Sequence, residues 1–234
     1  MTELNILLTT AITIAFIHTL IGIDHYIPFI VLSRANNWSM KKTMFIVLVC
    51  GIGHVLASII LGFVGIALSA GVTSLVEIEN IRGELATYFL IAFGIAYTIY
   101  GIRCVIKNKT HTHITPDGLT IMHAHSKTSE HHEHSKHAKK KMNVFWGLFI
   151  FLVLGPCEPL IPILMYPAAM HNTFALISVV VLFSVCTIGT MLLMTFLGIK
   201  GIRLVKMDKL ERYSHFLAGF SILLCGILLL LLPI

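Results

Sequence analysis

The chain has 234 residues, of which 56% are hydrophobic and only 12% charged, with a formal net charge of +6. Soluble domains carry about 25% charged residues, so a water-soluble globule is excluded: there is too little polar surface to cover it. The excess positive charge falls between apolar segments, where it reports membrane orientation and not nucleic-acid binding.

In chain order, apolar segments are expected over about 4–32, 43–70, 84–106, 144–168, 173–199 and 213–233. A helix crossing the hydrocarbon core takes about 20 residues. The chain therefore reads as an all-α polytopic membrane protein with six transmembrane helices and the lipid bilayer as its surroundings. Residues 1–106 form a first three-helix repeat, 107–143 a His-rich loop and 144–234 a second three-helix repeat. The first segment is too long for a signal-peptide core and is read as a mature span.

Basic residues fix the orientation. Arg34, Lys41 and Lys42 follow the first segment, Arg103 to Lys141 the third, and Lys200 to Arg212 the fifth. These groups hold 16 of the 17 basic residues, and Arg82, beside Glu77 and Glu79, is the exception, expected in a loop on the other face. The positive-inside rule places the basic loops in the cytoplasm and both termini outside an inner (cytoplasmic) membrane. Cys50, Cys104, Cys157, Cys186 and Cys225 lie in or beside apolar stretches, which is not a disulfide framework.

The halves resemble each other. Cys50-Gly-Ile-Gly-His54, Leu61-Gly62 and Gly65-Ile66 recur 136 residues later as Cys186-Thr-Ile-Gly-Thr190, Leu197-Gly198 and Gly201-Ile202. Asp24 with Ile27-Pro28 recurs 134 residues later as Glu158 with Ile161-Pro162. Three spans per repeat is an odd number, so the second copy is expected upside down. Inverted repeats are a recurrent plan of secondary transporters, whose sites lie near the midplane on helices broken by Pro or Gly.

Asp24 and Glu158 are the two acids expected deep in the membrane. An ionised acid at the bilayer centre costs about 2.5–3.5 kcal/mol even on lenient scales, so each needs a partner or a wet cavity. His18 and His25 stand seven residues apart, close to one helical face, and Pro28 interrupts the helix beyond them. His54 follows Gly51 and Gly53. Imidazole with carboxylate suits nickel, cobalt, zinc or iron(II), whereas magnesium and calcium prefer oxygen shells. The fourth segment holds Pro156, Pro159, Pro162 and Pro167, four of the chain's 7 prolines, and cannot be a regular helix. Cys157 beside Glu158 reads as a soft ligand, a redox thiol or a packing residue.

The third loop carries His111, His113, His123, His125, His131, His132, His134 and His137, which is 8 of the chain's 13 histidines. Neutral imidazoles on a polar segment capture transition metals, and protonation below about pH 6.5 would release them.

His18-x5-Asp24-His25, Gly53-His54, six spans and a His-rich cytoplasmic loop together resemble the nickel/cobalt transporters of the NicO and UreH-like type. These belong to the lysine-exporter superfamily, which also holds sulfite-exporter-like and CcdA-like proteins. In the nickel/cobalt transporters the motif is His-x4-Asp-His; here the spacing is one residue longer. The resemblance implies that His18, Asp24 and His25, with His54, bind the ion. Gly155-Pro-Cys-Glu-Pro159 is closer to the CcdA and sulfite-exporter side. CcdA-like proteins use one membrane cysteine in each half; here Ile23 stands opposite Cys157, which counts against thiol electron transfer unless Cys50 and Cys186 substitute. An anion exporter leaves Asp24 and Glu158 unexplained.

The expected function is therefore transport and not enzymatic catalysis. A divalent transition-metal ion is the substrate, no cofactor is required, and self-association into a homo-oligomer is left open. His18, Asp24, His25 and His54 are expected to meet the ion, with Glu158 and Cys157 completing the site from the other half. Efflux coupled to protons is the expected direction. Deleting residues 110–140 should then raise cellular metal content; a lowered content would indicate uptake.

Overall fold

The computed structural model describes residues 2–68, 71–107, 113–114, 120–121, 144–155, 157, 159–204 and 213–231. Helix α1 (Thr2–Ile21) is followed by a 3₁₀ turn (Ile23–His25) and helix α2 (Ile27–Ala35), then by α3 (Met40–Ala67) and α4 (Val72–Lys107). Two-residue strands β1 (His113–Ile114) and β2 (Thr120–Ile121) pair antiparallel. Helices α5 (Val144–Leu154), α6 (Leu160–Ala169), α7 (Thr173–Leu204) and α8 (Ser214–Leu231) complete the described chain.

The protein is an all-α, multi-pass membrane protein. Five helices among the described residues are long and apolar enough to cross a bilayer: α1, α3, α4, α7 and α8. Their outward faces are apolar. Ile52, Leu56, Ile60 and Phe63 line one side of α3, and Phe174, Ile177, Val181 and Val185 one side of α7, all exposed. Inward lie Thr19, Thr43, His54, Ser58, Glu79, Thr187 and Thr195. Apolar side chains spaced three and four apart on the surface are lipid-facing stripes.

Local chemistry explains the breaks. α1 stops at Ile21, and Pro28 falls in the first turn of α2, where its missing N–H has no intrahelical role. The interruption thus lies at Gly22–Tyr26, upstream of the proline, and His18 and His25 do not share one helix. After α2 the chain turns at Asn37, whose φ is 51°, and Ser39 caps α3 by accepting from the Lys42 amide. After α6 it turns at His171, also with φ 51°, and Asn172 caps α7 by accepting from the Ala175 amide. Asn37 and His171 are 134 residues apart, the offset that relates Asp24 to Glu158.

One boundary differs from the sequence expectation. The third apolar segment, expected from residue 84, belongs to a helix that starts at Val72. Glu77, Glu79 and Arg82 lie on this helix and not in a loop. The buried face of α4 runs through Leu75, Glu79, Ala86, Leu90 and Tyr97, so helical spacing carries straight through the charged stretch.

Two apolar clusters form the interior. Phe29, Leu32, Leu90, Leu148, Phe151 and Ile222 join α2, α4, α5 and α8, while Ala11, Ala15, Leu160, Val179 and Phe183 join α1, α6 and α7. Glycines set the closest approaches. A Cβ on Gly94 would lie 2.6 Å from the Leu223 backbone nitrogen, and one on Gly101 or Gly219 would strike the backbone at Phe216 or Thr98. As the α4 number rises the α8 number falls in step, so these two helices cross antiparallel with their backbones nearly touching. Small residues permit this in membranes. A second pair of contacts is matched across the halves: Gly62 of α3 faces Leu164 of α6, and Gly198 of α7 faces Ile30 of α2.

Gly219→Leu should force the α4 and α8 backbones apart and destabilise the protein by about 3 kcal/mol, at the upper end of overpacking costs. Gly201→Leu is the control, because among the described residues no atom lies within 4 Å of a Cβ there. Thermal unfolding in detergent should show a lower midpoint for the first variant and an unchanged one for the second.

Candidate metal-ion site

The interruption after α5 leaves backbone acceptors that the helix cannot use. In a continuous helix the carbonyl of Leu152 would accept from the amide of residue 156, and that of Gly155 from residue 159. Both positions are proline and have no N–H. Side chains from neighbouring helices replace the lost donors. His54 Nδ1 of α3 donates to the Leu152 carbonyl at 2.9 Å. Arg82 of α4 donates through Nη2 to the carbonyls of Val153, at 2.9 Å, and Gly155, at 3.3 Å. A cation at a helix C-terminus also complements the macrodipole. Arg82 Nη1 reaches Glu79 and the hydroxyl of Ser58. Glu79 is fully buried, so its charge is tolerated by pairing with Arg82.

The interruption after α1 is satisfied locally. His25 Nδ1 lies 3.1 Å from both the Gly22 carbonyl and Asp24 Oδ1. Both partners are acceptors, so Nδ1 carries a hydrogen, and in the neutral ring Nε2 holds the lone pair. The same argument assigns His54, whose Nδ1 faces a carbonyl. Tyr26 donates to the Leu20 carbonyl at 3.1 Å. Gly22 is required here: a Cβ would stand 2.8 Å from Cε1 of the His25 ring.

The three histidines form a row. The rings of His18 and His25 are 5.3 Å apart between centres, and those of His25 and His54 are 5.1 Å apart, both edge to face. The Nε2 atoms of His18, His25 and His54 are all buried without a partner among the described residues. A buried polar atom normally has a partner, and three in one row single out this place. Neutral imidazole nitrogens beside a carboxylate are a donor set for borderline transition metals.

The structure thus brings His18, Asp24, His25 and His54 together. Among the described residues, however, no group of three or more His, Cys, Asp or Glu side chains is arranged to hold an ion as it stands. The reason is visible in the tethers: the Nδ1 atoms of His25 and His54 are tied to the two different breaks, and the rings meet edge to face instead of converging. Cys157 packs with Ala11, Ala15, Leu160, Val179 and Phe183. Glu158 lies outside the described residues, and of the loop histidines only the backbone of His113 falls within them.

Sequence reasoning missed Ser58, Glu79 and Arg82. The Glu79–Arg82 spacing, three residues apart, was the available signal, since such pairs share a helix face. It also missed Asn80, Glu84 and Thr87, which line a cavity of about 450 Å³ together with His18, Asp24 and His25.

No protein family, curated protein or solved structure matches the chain.

Removing one member of a buried ion pair costs about 3–5 kcal/mol. Arg82→Met should therefore lower the thermal unfolding midpoint strongly by removing the guanidinium from Glu79 and the α5 carbonyls. The double variant Arg82→Met/Glu79→Leu should recover part of that loss, because the carboxylate is removed with its counter-charge. Equal midpoints for the single and double variants would show that the pair carries no stability.

Proposed function

We propose that the protein is a membrane transporter of divalent transition-metal ions, with nickel or cobalt favoured by the family resemblance and zinc or iron(II) also suited to the donor set. The observation that carries this reading is the row of three buried imidazoles, each with an unpartnered Nε2, beside the carboxylate of Asp24. Lone pairs held in the interior at no evident structural gain call for a visiting cation, and intramembrane ionisable residues mark ion pathways as a rule.

Architecture supports transport. On this reading α1 with α2 forms a first span and α5 with α6 a fourth, which gives six spans in two inverted three-helix repeats. Three features speak for the repeat. Both first spans are interrupted, both interrupted spans end in a left-handed residue 134 positions apart, and the glycine contacts Gly62–Leu164 and Gly198–Ile30 are exchanged between the halves. The antiparallel crossing of α4 and α8 is the arrangement that an odd number of spans per half requires. Broken helices near a repeat interface are where transporters place their sites.

The row is not yet a coordination shell. Movement of one repeat against the other would draw the nitrogens together and add Glu158 and Cys157 from the second half. Zinc–imidazole bonds of about 2.0–2.1 Å in a tetrahedral shell set ring centres about 5 Å apart. The spacing within each adjacent pair, His18–His25 and His25–His54, is already of that size, so within a pair the rings need reorientation, and closing the row on one ion needs the movement of the repeats. Asp24 or Glu158 takes up a proton as the ion leaves, the ion is exported from the cytoplasm, and the His-rich loop captures it there.

Uptake into proteoliposomes across nickel, cobalt, zinc and iron(II) tests the reading. Asp24→Asn and His25→Ala should each reduce transport of the preferred ion by at least about tenfold, in line with losses of 10–100-fold when groups supporting metal ligands are removed. Transport of no ion, or parental rates in both variants, would reject it.

A further inference from the structure

The cavity of about 450 Å³ runs between the α1–α2 interruption, the Asn80–Tyr88 stretch of α4, the end of α5 and the end of α8. Asp24, His18 and His25 stand on one wall; Asn80, Glu84 and Thr87 stand on the other. Leu229 and Leu230 close one side. Among the described residues the lining holds two carboxylates and no lysine or arginine. Arg82, two positions from both Asn80 and Glu84 on α4, is engaged with Glu79 and the α5 carbonyls. His25, only 4% exposed, lines the wall, and its Nε2 has no partner among the described residues.

We infer that this cavity is a vestibule that admits a divalent cation with its water shell intact, with Glu84 as its outer carboxylate and Asp24 as its inner one. The inference rests on the transport reading and extends it to residues outside the histidine row. Size supports it. A water molecule occupies about 30 Å³, so a six-water shell needs about 180 Å³ and fits with room to spare. The donors are of the kind that bind a hydrated ion: carboxylates, an amide and a hydroxyl accept hydrogen bonds from its waters. Two negative charges between low-dielectric walls concentrate cations. The arrangement also accounts for the absence of a ready shell among the described residues. An ion held through its waters needs no converging nitrogens, and the imidazole row is the inner station, from which an exported ion passes into the vestibule and regains its waters.

The cavity meets α4 at Asn80–Tyr88, in the half of the helix away from Lys107, and α8 at its end. By the charge pattern of the loops, this is the outer half of the bundle, so the vestibule faces outward and is where an exported ion leaves.

Two measurements on the full-length protein in vesicles test this. The first introduces Thr87→Cys and compares its labelling by cationic and anionic methanethiosulfonate reagents of similar size, followed by mass spectrometry of the peptide carrying residue 87. The cationic reagent should react at least about tenfold faster, millimolar nickel chloride should slow it, and adding Glu84→Gln should reduce the preference several-fold. The second measures nickel uptake. Glu84→Gln should raise KM about five- to tenfold and leave the maximal rate unchanged, whereas Asp24→Asn should lower the maximal rate. Equal labelling by both reagents, or a preference untouched by Glu84→Gln, overturns the vestibule whether or not ions are transported. A cation preference that depends on Glu84, in a protein that transports no ion, supports the vestibule and overturns the transport reading alone.

Discussion

The structure depends on how the orphaned carbonyls at the end of α5 are satisfied. In hydrocarbon each unpaired backbone group costs several kcal/mol, and prolines at 156 and 159 remove the two amides that would have served. His54 and Arg82 fill those places. The consequence reaches beyond local pairing. α3 and α4 are locked to the second half of the chain, and the His54 tautomer is fixed. A buried glutamate becomes affordable because its arginine partner is anchored at both ends. One interruption thus determines the position of a ligand candidate and the path of the longest helix.

The two interruptions solve the same problem differently. After α1 the freed carbonyls are taken by nearby side chains, His25 at Gly22 and Tyr26 at Leu20. After α5 they are taken by side chains borrowed from α3 and α4. Only the local solution places imidazoles at the break itself. His54 joins the two, because its Nδ1 binds into the second half while its ring meets His25 of the first edge to face. The resulting chemistry differs between the two breaks: imidazole and carboxylate at the first, proline and cysteine at the second. On the proposed repeat and transport reading, this is an asymmetric donor set on a symmetric scaffold, which suits a single ion held between the halves.

Much of the helical layout was legible. The segments expected at 43–70, 173–199 and 213–233 correspond to α3, α7 and α8 within a few residues, because long apolar runs have few other solutions. Four prolines foretold that the fourth segment would break. The convergence of His18 and His25 was also foreseen, although through the wrong geometry: seven-residue spacing on one helix was expected, and a 3₁₀ turn after Gly22 does the work instead. The start of α4 was not legible, since three charged residues in seven read as loop on hydropathy alone. Only the tertiary partners of Arg82, which lie 71 and 73 residues away, make the charge tolerable inside. His54 was noticed for its neighbouring glycines, but its bond to Leu152, 98 residues distant, is invisible to any local reading.

The stiffness of the bundle is unevenly distributed, and this bears on how a row of histidines could become a shell. Along α4 and α8 the backbones meet at Gly94, Gly101 and Gly219 with no side-chain layer between them. Sliding there would drive Cα atoms and amides into one another, so that pair behaves as one body. Between Ile21 and Ile27, and after Leu154, the helices are interrupted, and rotation costs the rearrangement of a few side-chain bonds. Among those bonds are the ones made by His25 and His54. Any change in the angle of either break must therefore turn an imidazole, and any ion that binds both imidazoles must resist that change. The same nitrogen tethers that keep the rings apart in this structure would, on the transport reading, convert ion binding into helix movement.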